Sequence, residues 1–203
     1  MNIEIKISKR PISYIAAIKY LKKRVNAIKM KKGKELLWIL EHPTTYTAGI
    51  RSNNNEILDK KIKIINTNRG GKITLHNPGQ KIIYCVINLN NRKKDIRKFI
   101  TVIEKSIINF LKKYGIKSKS DRKNIGIWVK GKKIAAIGVR VNSWIAYHGC
   151  SINIKNNIEL YKKIIPCGLS NKKITSMKNE GVLDIKNVNK NLKDIFSSNF
   201  NKF

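Results

Sequence analysis

The stretch Ile125-Gly126-Ile127-Trp128-Val129-Lys130-Gly131-Lys132-Lys133-Ile134-Ala135-Ala136-Ile137-Gly138-Val139-Arg140-Val141 sets two β-prone runs on either side of a Lys-Gly-Lys turn. Residues 125–129 and 133–141 are therefore expected to pair as a β-hairpin. Upstream, Ile96, Phe99, Ile103, Ile107, Phe110 and Tyr114 recur at helical spacing and mark an amphipathic helix that Gly115 stops. Before it, Lys81 to Leu89 reads as a strand, with Cys85 inside it as a small hydrophobe. Nearer the start, Tyr14, Ile18, Leu21, Val25 and Ile28 give a second amphipathic helix within Ile12 to Met30, with lysines on its outer face. Leu36 to Leu40 reads as a buried strand, Asn53-Asn54-Asn55 as an exposed loop and Ile62 to Asn66 as a short strand. Downstream, Trp144 to Tyr147 and Ser151 to Ile154 form a possible pair of strands around His148-Gly149. Two helices among many hairpin-connected strands predict one α+β domain, or an α/β one, with a largely antiparallel or mixed sheet over 1–203. Beyond Met177 the chain turns rich in Asn and Lys, so 178–203 is expected to be a weakly constrained end.

A chain of 203 residues with 41% hydrophobic residues can bury a real core. Its longest apolar runs, such as Ile82 to Ile87, are too short to cross a bilayer, so no membrane association is expected. Met1 to Ser13 carries scattered charges and no apolar core, which argues against a secretory signal. Three cysteines in such a chain suit a reducing cytoplasm better than a disulfide framework. The formal charge of +32 invites a nucleic-acid reading through counterion release. Only eight of the 44 basic residues are arginine, however, and Lys, Ile and Asn have A/T-rich codons. Mutational drift toward A/T yields that composition without a nucleic-acid partner. The charge still favours encounter with acidic proteins.

Two short stretches carry chemistry. Arg69-Gly70-Gly71-Lys72-Ile73-Thr74-Leu75-His76-Asn77-Pro78-Gly79-Gln80 pairs glycines that admit close backbone approach to a ligand with polar groups at Arg69 and His76. The same stretch also suits a hairpin turn with a structural histidine. No second His or Cys stands at metal-ligand spacing, so no zinc site is expected. Pro166-Cys167-Gly168 sets a thiol between two residues that break regular structure, either as a reactive group on a sharp turn or as an incidental cysteine.

Four signatures in order resemble the lipoyl(octanoyl)transferases: His42-Pro43 with Tyr46-Thr47-Ala48-Gly49; Arg69-Gly70-Gly71 through His76 to Pro78-Gly79-Gln80; Gly131-Lys132-Lys133-Ile134-Ala135-Ala136-Ile137-Gly138 leading to His148-Gly149; and Pro166-Cys167-Gly168 followed by Thr175-Ser176. The resemblance runs from about Trp38 to Met177. It implies the fold of the biotin and lipoate protein ligase catalytic domains. It also implies transfer of an octanoyl group from octanoyl-acyl carrier protein to a lysine on lipoyl domains of oxo-acid dehydrogenase E2 subunits and on the glycine cleavage H protein, with no cofactor. In that family's pattern Cys167 is the acyl-thioester nucleophile and Lys133 its activator and general base. The acyl-binding segments fall on Arg69, Gly70, Gly71, Lys72, Ile73, Thr74, Leu75 and His76, on Ala136, Ile137 and Gly138, and on Gly149, Cys150 and Ser151. Ile73, Leu75 and Ile137 are candidates for an apolar groove, or equally for core. Two positions depart from the pattern: Asn77 replaces a glycine, and Cys150 replaces an apolar residue.

These roles agree with general chemistry. Only a thiolate attacks a thioester efficiently, and a neighbouring ammonium favours that form. Exchange of one thioester for another is nearly balanced, so the first step needs no ATP. Two rivals remain: an ATP-dependent lipoate or biotin protein ligase on the same fold, and a basic nucleic-acid-binding module. A decayed family member acting as a binding protein is a third.

Overall fold

A computed structural model describes residues 3–121, 123–166 and 174–203. Its centre is β2 (Glu35–Leu40) paired antiparallel with β6 (Gln80–Asn88). Both strands are apolar on both sides because both faces are covered. Leu36, Trp38, Leu40, Ile82, Tyr84 and Val86 pack toward α1 (Tyr14–Lys29). Leu37, Ile39, Ile83, Cys85 and Ile87 pack toward α2 (Ile96–Lys112) and α3 (Val188–Asn201). Around this pair, with β1 (Ile3–Ile7), β7 (Lys119–Ser120), β8 (Gly126–Val129), β9 (Lys132–Asn142) and β10 (Ile145–Asn153), a seven-stranded mixed sheet runs β1-β2-β6-β10-β9-β8-β7, in which β1 is parallel to β2 and every other pairing antiparallel. The hairpin expected at 125–141 is present as β8 (Gly126–Val129) and β9 (Lys132–Asn142), with β7 (Lys119–Ser120) on its outer edge. A second sheet of three strands, β4-β3-β5, joins Ile64–Asn66, Thr45–Ala48 and Thr74–His76. The single α+β domain with a mixed sheet is therefore present.

The helices follow from spacing and caps. In α1 the buried residues Tyr14, Ala17, Leu21, Val25 and Ile28 form one stripe. Asp95 caps α2 by accepting from the Lys98 N–H at 2.8 Å. Gly115, at φ +75°, turns the chain out of that helix while the Ile116 N–H donates back to the Leu111 carbonyl at 3.1 Å.

Two expectations are corrected. Residues 178–203 are not a loose end. Val188, Leu192, Phe196 and Phe200 recur every four residues, and α3 buries them against α2, with Phe99 and Phe200 edge to face at 6.0 Å. Four apolar residues spaced through Asn and Lys are enough for an amphipathic stripe. Nor are 144–147 and 151–154 separate strands. They form one strand, β10 (Ile145–Asn153), whose register with β9 runs unbroken. Its pairing with β6 lapses only at Tyr147 and His148 and resumes at Gly149 opposite Tyr84. The turn residues are there for local geometry. His148 takes φ +68°, and a Cβ on Gly149 would stand 2.1 Å from the Ile83 carbonyl oxygen.

Candidate functional site

Where the small sheet meets the large one, the loop Arg69-Gly70-Gly71 lies directly on β9. The Gly70 N–H donates to the Val139 carbonyl at 3.2 Å. A Cβ on Gly138 would stand 2.9 Å from the Gly70 carbonyl oxygen, and one on Gly70 would stand 2.8 Å from that of Val139. Small residues at both positions bring two distant sequence segments into contact. Beside this contact opens a cavity of about 560 Å³. Its walls include Arg69, Gly70, Gly71, Lys72, Thr74 and His76 from the first segment, Ala136, Ile137 and Gly138 from β9, Gly149, Cys150 and Ser151 from β10, and Lys133.

Ile73 and Leu75 do not line it. On β5 successive side chains point to opposite faces. Thr74 and His76 face the cavity, while Ile73 and Leu75 are buried with Tyr46, Tyr161 and Ile164 in the core of the small sheet. His148 comes to the wall beside Gly149, with which the third signature pairs it, whereas other wall residues carried no binding signal in the sequence: Tyr14 at the start of α1, Arg51 after β3, Tyr84 on β6, and the loop Lys123 to Ile125. Tertiary folding alone brings them there. Asn77 has no glycine-like backbone angle, and its buried amide holds the next loop, donating to the Asn157 carbonyl at 2.9 Å and accepting from Asn156 Nδ2 at 3.0 Å.

All three histidines of the chain gather at this site with tyrosines between them. His42 and His76 lie 5.6 Å apart by ring centres, Tyr14 stacks on His76 at 5.8 Å, and Tyr147 stacks on His148 at 4.8 Å. Burial, followed by the charge of neighbouring His42, lowers the His76 pKa from 6.5 to about 3. Burial and the Arg69 guanidinium lower that of His148 likewise to about 3. Burial also lowers His42. These rings are neutral at physiological pH and serve as hydrogen-bonding groups rather than cations. Arg69 spends donors on the wall itself: Nη2 reaches both the carbonyl and Oγ1 of Thr47 at 2.8 Å, and Nη1 reaches the Gly70 carbonyl at 3.0 Å.

Lys133 is 5% exposed, with Nζ 5.6 Å from the centre of the Trp128 ring. A register shift between Ile127 and Trp128 falls opposite it, a local bulge of the kind that re-aims a side chain. Among the described residues no carboxylate pairs with its ammonium. Cys150 and Cys85 are buried thiols whose pKa values burial raises, so neither is poised to ionise. Cys167, with Gly168, lies outside the described residues. The residues flanking 167–173 are held. The Ile165 N–H donates to the Glu56 carbonyl at 2.7 Å, Ile174 pairs with Lys133, and the Thr175 N–H donates to the Lys133 carbonyl at 3.0 Å.

Comparison with known proteins gives consistent matches. Residues 13–197 match the lipoyl protein ligase A/B catalytic domain. An octanoyltransferase of the Wolbachia of Brugia malayi is 42% identical over 185 residues, covering 89% of this chain and 90% of the relative. One from Bartonella bacilliformis is 39% identical over 213 residues, covering 98% and 88%. Among solved structures, the bi-partite lipoate protein ligase of Thermoplasma acidophilum superposes with a TM-score of 0.75 at 15% identity, covering 99% of this chain and 84% of that one. At that identity the likeness concerns the fold.

Proposed function

This chain belongs to the lipoyl protein ligase A/B catalytic-domain family, and from that membership we propose that it transfers an octanoyl group from octanoyl-acyl carrier protein to a lysine of lipoyl domains, with Cys167 as nucleophile and Lys133 as its activator. The acceptors in this reading are lipoyl domains of oxo-acid dehydrogenase E2 subunits and the glycine cleavage H protein. The observation that carries it is the cavity, where three segments far apart in sequence meet beside Lys133. Similarity to octanoyltransferases over most of the chain gives the acyl group its identity.

The chemistry runs in two balanced steps. The Cys167 thiolate attacks the octanoyl thioester carbonyl, a new C–S bond forms as the carrier's C–S bond breaks, and the carrier leaves as a thiolate that takes its proton from the Lys133 ammonium. The lysine amine of the lipoyl domain then attacks the acyl-cysteine, an amide C–N bond forms, and the Cys167 thiolate leaves. Lys133 favours the thiolate as an ammonium in the first step and, in its neutral form, takes the proton of the attacking amine in the second. Arg69 to Lys72, with Thr74 and His76, shape the acyl cavity together with Ala136 to Gly138 and Gly149 to Ser151. The described residues work as one catalytic domain. The reading includes a cytoplasmic location, with which the free thiols of Cys85 and Cys150 are compatible.

The direct test is acylation of a lipoyl domain by an octanoyl-thioester donor with ATP absent. Transfer that disappears in Cys167→Ala supports the reading. Full turnover by that variant would refute it.

A further inference from the structure

His76 is held by a chain of amides whose orientation two main-chain carbonyls decide. The first is that of Thr175, an acceptor only. Asn153 stands 2.9 Å from it and must present its NH2 there, which turns Asn153 Oδ1 the other way, toward Gln80. Gln80 stands 2.9 Å from Asn153 Oδ1 and 3.2 Å from the Leu75 carbonyl, and both are acceptors. Gln80 must therefore present its NH2 to them, which leaves Oε1 facing His76 Nδ1 at 2.8 Å. An amide oxygen only accepts, so the His76 proton sits on Nδ1. Gln80 is fully buried and Asn153 nearly so, and their amides are oriented by these protein partners. A neutral His76 in this tautomer carries a lone pair on Nε2. Among the described residues no donor reaches that atom, and the ring lines the cavity.

We propose that Gln80 is a positioning residue that locks His76 in the Nδ1–H tautomer, so that His76 Nε2 stands in the cavity wall as a hydrogen-bond acceptor for an N–H group of the substrate. This rests on the transfer reading above. Two N–H groups pass the site in that reaction: an amide of the donor's pantetheine arm, and the amine of the acceptor lysine. The same amide chain ends on Thr175, whose N–H donates to the Lys133 carbonyl. One buried network thus sets the cavity acceptor and the strand position of Lys133.

Two measurements test it. In the unliganded full chain near neutral pH, ¹⁵N spectra of the His76 ring should show Nδ1 protonated and Nε2 bare. The reverse assignment overturns the proposal. Gln80→Met, of similar length but with no oxygen to accept from Nδ1–H, should abolish the single tautomer. Separately, the two half-reactions are timed in variants. His76→Asn keeps a donor near the Nδ1 position and removes the acceptor, and His76→Gln keeps an amide oxygen near Nε2. His76→Asn should slow one half-reaction about tenfold, and His76→Gln should recover part of it. Slower loading of Cys167 identifies the arm amide, and slower discharge identifies the lysine. No slowing, or equal slowing of both steps, overturns the proposal. Absence of any octanoyl adduct in the unaltered chain would refute the transfer reading instead, while the ring-nitrogen assignment reports on Gln80 either way.

Discussion

The side chain of Lys133 runs through the space that a side chain on Gly126 would fill: a Cβ there would stand 2.4 Å from Lys133 Cε and 2.7 Å from the Ala135 carbonyl oxygen. Gly126 also takes φ +147°, a region in which side chains are strained. The lysine can swing aside, but the carbonyl is held in the β8–β9 ladder. Gly126→Ala should therefore destabilise the fold by about 1–3 kcal/mol and displace Lys133. In the surviving folded protein kcat for octanoyl transfer should fall about tenfold or more, with KM changed less. Unaltered kcat would separate Lys133 from the chemistry.

Glu56 ties the site's parts together. Its buried carboxylate lies 2.7 Å from Lys72 Nζ and accepts from the Asn53 and Ile73 N–H groups, each at 3.4 Å, while its carbonyl receives Ile165. Glu56→Ala leaves the buried Ile73 N–H unpaired and should cost about 2 kcal/mol in urea unfolding. Glu56→Gln keeps an acceptor and should cost less.

Acid should weaken the fold through its histidines. His76 and His148 titrate near 3 when folded, against 6.5 ordinarily. Between those values the unfolded chain binds more protons, so stability is fully present above about pH 6.5 and is lost as pH falls toward 3. Each ring contributes a slope of about 1 kcal/mol per pH unit in that window. The urea midpoint should fall from about pH 7 to about pH 5, and less steeply in His76→Asn. A midpoint flat across this range would contradict the burial of these rings.

Phe196 is wholly buried on the inner face of α3, within the core cluster that α2 shares, and Phe196→Ala should cost about 3–5 kcal/mol. That residue also marks where sequence reading stops. The 125–141 hairpin, the strand at 81–89 and helix α2 are legible because dense apolar periodicity needs no partner to be recognised. In α3 the same periodicity is diluted by Asn and Lys and resolves only once α2 supplies the matching face. The strand through His148 could not be read as continuous, because its left-handed residue packs against Tyr84 on β6, a neighbour that only the folded sheet supplies. At the site, the glycine-rich segments are visible in the chain. The division of β5 into cavity-facing Thr74 and His76 and core-facing Leu75 depends on which side of the strand the second sheet takes. Tyr14, Arg51 and Lys123 reach the cavity through folding alone.

The central claim is a covalent octanoyl-cysteine formed without nucleotide. Intact-protein mass spectrometry after mixing the chain with octanoyl-acyl carrier protein, ATP absent, tests it most directly. The predicted result is a gain of one octanoyl group that is absent in Cys167→Ser, slower to form in Lys133→Met, and discharged by added lipoyl domain. No adduct, together with acylation of the lipoyl domain only when ATP and free octanoate are supplied, would contradict it and identify an adenylate-forming ligase instead.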